Sequence, residues 1–299
     1  MVDEPFYRSV SQSDDDGWEY FTPTPSTVSV WADTMQHGSP PSALLVRSLE
    51  RCVARPDAHL SRVTVDILGP IPLTQCRVRS AVTRPGSKIQ LVRAELQSLQ
   101  DDGSYRSVAT AQAWQLATSD TSSAAMDHDP TMANYTAGRT ADPTKFFPPG
   151  YVHVVEWVLL TKPGADGPGQ FWGRPKVCLV DDEPLTPLQR LFSVVDSANG
   201  LGAKLDIRAW TYLNTDLSVH LYRQPVGDWI GVSAQSSVGP DGIGMCAAVL
   251  HDEKAVWPIR ADTSRTRPII SRGLTGTITT QISVLSTLLN CQTCCGTGK

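Results

Sequence analysis

The chain has 299 residues, of which 40% are hydrophobic and 19% are charged, and its formal net charge is −4. This length supplies a substantial core and predicts one large domain or two of ordinary size. A weakly acidic chain is a poor match to phosphate backbones, so we expect no nucleic-acid partner. No apolar run reaches the roughly 18 residues that span a bilayer, and the acidic start does not resemble a signal peptide. The sequence therefore predicts a soluble, cytoplasmic protein without membrane insertion.

The first half of the chain has the pattern of one helix followed by four antiparallel strands. After the short strand signal STVSVWAD, residues 37–53 (HGSPPSALLVRSLERCV) place apolar side chains at helical spacing, with Ser39 or Ser42 as the N-cap. Strand signals then follow at 61–69, 76–84, 89–99 and 107–116. Their separators, PIPLT, PGS and DDGS, are typical turn sequences, which favours a meandering antiparallel sheet.

The same order of elements returns after residues 117–150, an aperiodic stretch that predicts a linker or a long surface crossing. Two strand signals, YVHVVEWVLL and GQFWGRPKV, precede a second helix within 184–202, where Thr186 is the expected N-cap and Pro187 the first helical residue. Strands are predicted at 217–222, 228–237, 243–252 and 255–265. Further on, ISVLSTLL predicts a short helix in a tail of unknown role.

The two halves correspond segment by segment. VTVDILGPIP (63–72) matches LSVHLYRQPV (217–226), TRPGSK matches VGPDG, and AELQSLQDDGS matches AAVLHDEKA. Internal similarity of this kind indicates one plan of roughly 100–120 residues used twice. Because helix and strands stay grouped within each half, an α+β fold is favoured over a wound parallel sheet.

Three stretches carry a family resemblance: WADTMQHGSPPSALLVRSLER, DILGPIPL with TRPGSKIQLVRAEL, and LDIRAWTYLNTDLSVHLYRQPVGDW with GIGMCAAVLHDE. In them the chain resembles the acyl-CoA thioesterase II (TesB-like) double-hotdog family, most specifically in DL-x-VHL-x-R-x-P-x-G-(D/E)-W. The resemblance implies two tandem hotdogs, each an antiparallel sheet wrapped around a helix. We place the N-terminal hotdog at 1–118, a linker at 119–149, the C-terminal hotdog at 150–268 and the tail at 269–299.

The resemblance also implies a catalytic group, in which a carboxylate activates water for attack on the thioester. Asp216 matches the family's aspartate, although an Asp in an NTD turn also serves simply to bind local backbone amides. The family's Ser or Thr corresponds to Ser236 or Ser237. Where the family has a Gln, this chain has Asp262, and an ionised Asp accepts hydrogen bonds but does not donate them.

Other polar residues are candidates for binding the substrate. Asp196 lies near the end of the second helix, and the hotdog resemblance implies a role for it, because many single-hotdog enzymes carry their carboxylate on or beside that helix. The alternative is an acidic residue on the exposed face of the helix. His37 and Gly38 precede the first helix, whose free amides suit an oxyanion or a phosphate. Arg223 ends a strand and could contact a CoA phosphate or belong to a charged turn.

The cysteines do not indicate a metal site. Four of the seven are scattered singly, and the CxxCC group at 291–295 lacks a fourth ligand nearby. We predict neither a metal nor another cofactor, and reduced thiols are typical of the cytoplasm.

The sequence therefore predicts an enzyme, a hydrolase of acyl-CoA or another acyl thioester, compatible with a homo-oligomer. The altered Gln position leaves a second class open: a hydratase, isomerase or cyclase of secondary metabolism. A non-catalytic acyl-binding module is the third hypothesis. The chain has no Gly-x-Ser-x-Gly segment, which argues against a serine-nucleophile hydrolase.

Overall fold

The computed structural model describes residues 4–11, 17–52, 54–203, 205–207 and 209–254, together with the backbone of 282–290. Three α-helices are present in these ranges: α1 (Ser39–Cys52), α2 (Pro187–Val195) and α3 (Ala198–Gly202). The strands of the first half are β1 (Tyr7–Val10), β2 (Glu19–Pro23), β3 (Ala58–Ile67), β4 (Cys76–Arg84), β5 (Ile89–Leu99) and β6 (Tyr105–Ala117). Those of the second half are β7 (Arg139–Ala141), β8 (Val155–Leu159), β9 (Gly169–Pro175), β10 (Trp210–Asn214), β11 (Asp216–His220), β12 (Ile230–Val238), β13 (Ile243–His251) and β14 (Ile282–Asn290).

All the described strands belong to one antiparallel sheet, ordered β1-β2-β4-β5-β6-β3-β11-β14-β13-β12-β9-β8-β7, with β10 also paired to β14. α1 packs against β4, β5 and β6, whereas α2 packs against β9 and β12, and the two helices contact each other. Each half is thus a sheet wrapped around one helix. The predicted α+β double hotdog is confirmed.

The two halves meet where β3 pairs with β11, and the register of this seam is symmetric. Its pairs include Arg62 with His220, Thr64 with Ser218, and Asp66 with Asp216. The segment match made from the sequence relates residues 154 positions apart. The same offset relates β3 to β11: it converts the pair Arg62 with His220 into the pair Asp216 with Asp66. A pseudo-twofold axis therefore passes between Thr64 and Ser218, whose hydroxyls are hydrogen-bonded at 3.0 Å.

Strand β14 corrects one prediction. The segment ISVLSTLL predicts a short helix, but residues 282–290 form a strand between β11 and β13. β14 occupies the position in the second half that β6 occupies in the first. Pairing with three strands outweighs the weak helical preference of an isolated Leu- and Ser-containing segment. The strand predicted at 255–265, which contains Asp262, lies outside the described residues.

The helices run antiparallel, so the start of α1 lies beside the end of α2. At the opposite end, Thr186 and Gln189 form a capping box at the start of α2, which confirms the predicted cap. Glu50, near the end of α1, accepts hydrogen bonds from both of these side chains at 2.8–2.9 Å. This contact fixes the position of one helix relative to the other. None of the helices in the described ranges is long and apolar enough to cross a bilayer.

Candidate functional site

Three of the residues singled out in the sequence come together where α1 begins and α2 ends. The His37 Nδ1 atom lies 3.4 Å from Oδ2 of Asp196. A Cβ atom added to Gly38 would stand 2.6 Å from the same oxygen, so only glycine lets the carboxylate approach the backbone this closely. Asp196 is 6% exposed, which excludes the alternative of a solvent-exposed helical acid. The first half contributes the imidazole and the second half contributes the carboxylate.

Two asparagine side chains hold the carboxylate of Asp196. Asn214, the last residue of β10, donates from Nδ2 to Oδ1 of Asp196 at 2.6 Å. Asn199, in α3, donates in turn to Oδ1 of Asn214 at 2.6 Å. Hydrogen bonds to a charged acceptor are stronger than neutral ones. The chain of amides therefore orients one oxygen of Asp196, while the other oxygen faces His37.

The imidazole of His37 is held by a ring stack and by a backbone amide. Its ring lies 3.9 Å from that of Tyr151, centroid to centroid, with the planes inclined by 16°. The Ser39 amide donates to Nδ1 at 3.1 Å. Burial lowers the pKa of His37, and the nearby Asp196 opposes this shift in part. The imidazole is therefore neutral at physiological pH.

The ring of Tyr151, on which His37 stacks, is itself held in position. Its ring is fully buried, and its hydroxyl donates to the Ser193 carbonyl at 2.7 Å. Burial raises the pKa of Tyr151 well above its ordinary value, so the phenol stays protonated and keeps this hydrogen bond. The stack ties the loop before α1 to α2.

The residues that the family resemblance implies for catalysis lie elsewhere in the sheet. Asp216 is half-buried at the start of β11, directly opposite Asp66 in the seam. Ser236 and Ser237 lie on β12, with β14 and β13 between that strand and β11. At about 4.8 Å per strand, the path along the sheet from Asp216 to β12 is about 14 Å.

The two serines face opposite sides of the sheet. Ser236 lies opposite the buried Cys246, and its hydroxyl is buried beside that thiol. Ser237 is exposed and pairs with the partly exposed Met245. Asp262 lies outside the described residues, so the geometry of a group containing it stays a prediction.

Arg223 already has a carboxylate partner. Its guanidinium forms two hydrogen bonds with Asp252, which is 4% exposed on its side chain. The contact with Asp252 raises the pKa of Arg223 and offsets its charge. This pairing supports a structural role in the turn after β11, and phosphate binding by Arg223 stays a prediction.

Sequence reasoning missed Asn214, Asn199 and Tyr151. Asn214 belongs to the same NTD segment as Asp216, but nothing in that segment distinguishes an orienting amide from a turn residue. Asn199 follows Asp196 by three positions, a spacing that places two side chains on one helical face and could have linked them. Tyr151 gives no local signal, because its contact with His37 spans more than one hundred residues.

Two domain models of the acyl-CoA thioesterase family match the chain. The acyl-CoA thioesterase N-terminal domain matches residues 27–116, and the acyl-CoA thioesterase C-terminal domain matches residues 123–256. Together they cover most of the chain. No curated protein sequence matches it significantly.

Solved structures share the fold at low sequence identity. A hot dog fold protein of unknown function from Alicyclobacillus acidocaldarius has a TM-score of 0.66 at 12% identity, covering 93% of this chain and 95% of its own. A Thermobifida fusca protein assigned as a thioesterase II has a TM-score of 0.63 at 15% identity, with 94% and 95% covered. Acyl-CoA thioesterase II TesB2 from Mycobacterium marinum has a TM-score of 0.59 at 12% identity, with 96% of both chains covered. At these identities the likeness shows the fold alone.

Proposed function

Because the chain belongs to the acyl-CoA thioesterase family, we propose that it hydrolyses acyl thioesters, with acyl-CoA as the substrate class, using water activated by Asp196. The observation that supports this proposal is the buried cluster of His37, Asp196 and Asn214 between the two halves. A carboxylate, an imidazole and the backbone of a glycine lie close together there. Thioester hydrolysis needs a base for water and donors for an oxyanion, and this cluster contains both types of group.

The hydrogen bonds assign different tasks to the two oxygens of Asp196. Oδ1 is occupied by the amide of Asn214. Oδ2 faces Nδ1 of His37, which already accepts the Ser39 amide hydrogen and so has no proton to donate. Oδ2 is therefore the oxygen that accepts a proton from water. The water oxygen then bonds to the thioester carbonyl carbon, the C–S bond breaks, and the thiolate leaves and takes up the proton.

This proposal moves the base from Asp216 to Asp196 and keeps the other sequence-based assignments as proposals. The domain boundaries at 118, 149 and 268 belong to these, and so does a polar group of Asp216, Asp262 and either Ser236 or Ser237. So do a cytoplasmic location and a role in lipid or secondary metabolism.

Thiol release from a panel of straight-chain acyl-CoAs, acetyl to palmitoyl, tests the proposal with two matched variants. We expect wild-type release of CoA for at least one chain length. Since a positioned base contributes roughly 10²–10⁴-fold, Asp196→Asn should lower kcat by at least about 100-fold. Asp216→Asn should lower it by less than about tenfold.

Each other outcome has a definite meaning. The reverse order of the two variants would assign the base to Asp216 and contradict the role of Asp196. No thiol release for any chain length would contradict hydrolysis itself. Circular dichroism and urea unfolding of both variants exclude loss of fold as the cause.

The contact of His37 with Asp196 also favours a second candidate, a hydratase acting on an unsaturated acyl thioester. Adding water to a double bond needs one group to take a proton and another to give one, and an imidazole and a carboxylate 3.4 Å apart suit that exchange. Incubation with crotonyl-CoA distinguishes the candidates. Loss of its ultraviolet absorption without thiol release supports the hydratase, and ligand binding without any turnover supports the acyl-binding module.

A further inference from the structure

The start of α1 lacks the free amides that a helix N-terminus normally offers. Residues 40 and 41 are both proline and have no N–H group. The Ser39 amide donates to His37 Nδ1 at 3.1 Å, and the Ser42 amide donates to the Gly38 carbonyl at 3.1 Å. The expectation that helix amides bind an oxyanion is thus not met by residues 39–42. Of the amides next to Asp196, that of Gly38 has no hydrogen-bond partner within the described ranges.

The imidazole of His37 lies beside this helix start, and its Nε2 atom has no hydrogen-bond partner among the described residues. A backbone amide donates to Nδ1, so Nδ1 carries a lone pair and the proton of the neutral ring sits on Nε2. In the part of the chain that the structure describes, no group bonds to Nε2. The side chain is 11% exposed and its plane is fixed by the stack on Tyr151. The ring is therefore rigid, mostly buried, and presents one N–H donor.

The geometry points to His37 as a catalytic donor: its Nε2–H, together with the Gly38 amide, binds the oxyanion in place of the helix amides that Pro40 and Pro41 eliminate. This inference rests on the proposed thioester hydrolysis. When the water oxygen bonds to the carbonyl carbon, the π pair moves to the carbonyl oxygen, and Nε2–H stabilises that charge. The pair returns as the C–S bond breaks, so His37 gains and loses no proton.

A base role for His37 would require the other tautomer. The proton would then sit on Nδ1 and be donated to Asp196 at 3.4 Å, leaving the Nε2 lone pair to accept a proton from water. In that tautomer the proton on Nδ1 would clash with the hydrogen of the Ser39 amide. The Ser39 nitrogen lies 3.1 Å from Nδ1, closer than Oδ2 of Asp196 at 3.4 Å. The shorter contact therefore favours the donor tautomer.

Long-range ¹H–¹⁵N NMR of the wild-type protein labelled on histidine nitrogens tests the tautomer directly and does not depend on activity. We expect the resonances of His37, assigned by their absence from His37→Gln, to show a protonated Nε2 and an unprotonated Nδ1 near pH 7.5. A proton on Nδ1 would overturn the inference. If the wild-type protein releases no thiol, the proposed hydrolysis is wrong, whereas the NMR result still decides the tautomer of His37.

Two substitutions test the catalytic role with the best acyl-CoA of the panel. Loss of one oxyanion donor costs about 10²–10³-fold in kcat, so His37→Ala should show a fall of that size with KM changed less than about threefold. The amide of Gln donates a hydrogen bond but cannot act as a base near neutral pH. His37→Gln should therefore retain at least about tenfold more kcat than His37→Ala. Equal losses in the two variants, both folded by circular dichroism, would contradict the donor role.

Discussion

Replacing Gly38 by alanine should disrupt the site by displacing the carboxylate of Asp196. The new Cβ would lie 2.6 Å from Oδ2, 2.9 Å from Cγ and 3.0 Å from Oδ1, whereas ordinary contact begins at 3.4 Å. Asp196 must therefore retreat by roughly 0.8 Å to reach ordinary contact distance. A shift of this size stretches its 2.6 Å bond to Asn214 beyond the usual hydrogen-bond range.

The cost follows from that lost bond. A hydrogen bond to a charged group contributes about 1.5–3 kcal/mol, so we expect the free energy of unfolding to fall by this amount in urea titrations. Displacing a reactive group by about 1 Å can cost about 100-fold in rate, and thiol release should fall to that extent. Both measurements use the same purified variant.

Controls separate the clash from a general effect of alanine. Gly200→Ala is the matched control, because a Cβ there meets nothing within 4 Å, and its stability should stay within about 1 kcal/mol of wild type. In an Asp196→Ala background the clash is removed, so Gly38→Ala should cost about 1–3 kcal/mol less than in wild type. The same cost in both backgrounds, or wild-type activity of Gly38→Ala, would refute the reasoning.

Three further predictions concern stability, each read from equilibrium unfolding in urea. Thr186→Ala removes the N-cap of α2 and a hydrogen bond to Glu50, and should cost about 1–3 kcal/mol; an unchanged midpoint would contradict the cap. Arg47 is 3% exposed and paired with two glutamates, so Arg47→Met should cost about 2–4 kcal/mol, against less than about 1 kcal/mol for the half-exposed Arg51→Met. Burial lowers the pKa of His37 from its ordinary 6.5. The contribution of His37 to the free energy of unfolding is therefore present above pH 6.5 and is lost as the pH falls toward the folded-state pKa. The stability of wild type relative to His37→Gln should therefore decrease between pH 7.5 and 5.5, and a pH-independent difference would exclude the linkage.

The fold followed from the sequence because its signals are local and occur twice. The match of 63–72 with 217–226 gives the offset that the seam register reproduces. The Thr186–Pro187 start of α2 depends only on neighbouring residues, and it is observed with both capping bonds. Residues 282–290 were assigned wrongly, because their conformation depends on partner strands that are far away in the chain.

The candidate site was predicted only in part, because its contacts join distant segments. His37, Gly38 and Asp196 stand out in the sequence as polar or glycine residues at helix ends, but no sequence pattern connects them. The fold connects them, since antiparallel helices bring the start of α1 to the end of α2. Asn214 acquires its role only through that arrangement. The prolines after Ser39 were interpreted as a helix start, although they also remove amides from the site.

The central claim, that water activated by Asp196 attacks the acyl carbon, is tested most directly by a single turnover in H₂¹⁸O with enzyme in excess over an acyl-CoA. We predict one ¹⁸O atom in the released carboxylic acid, free CoA in equal amount, and no ¹⁸O in the peptide that contains Asp196. An ¹⁸O-labelled Asp196 would show instead that the carboxylate attacks the thioester itself. Acyl-CoA recovered intact would contradict hydrolysis altogether.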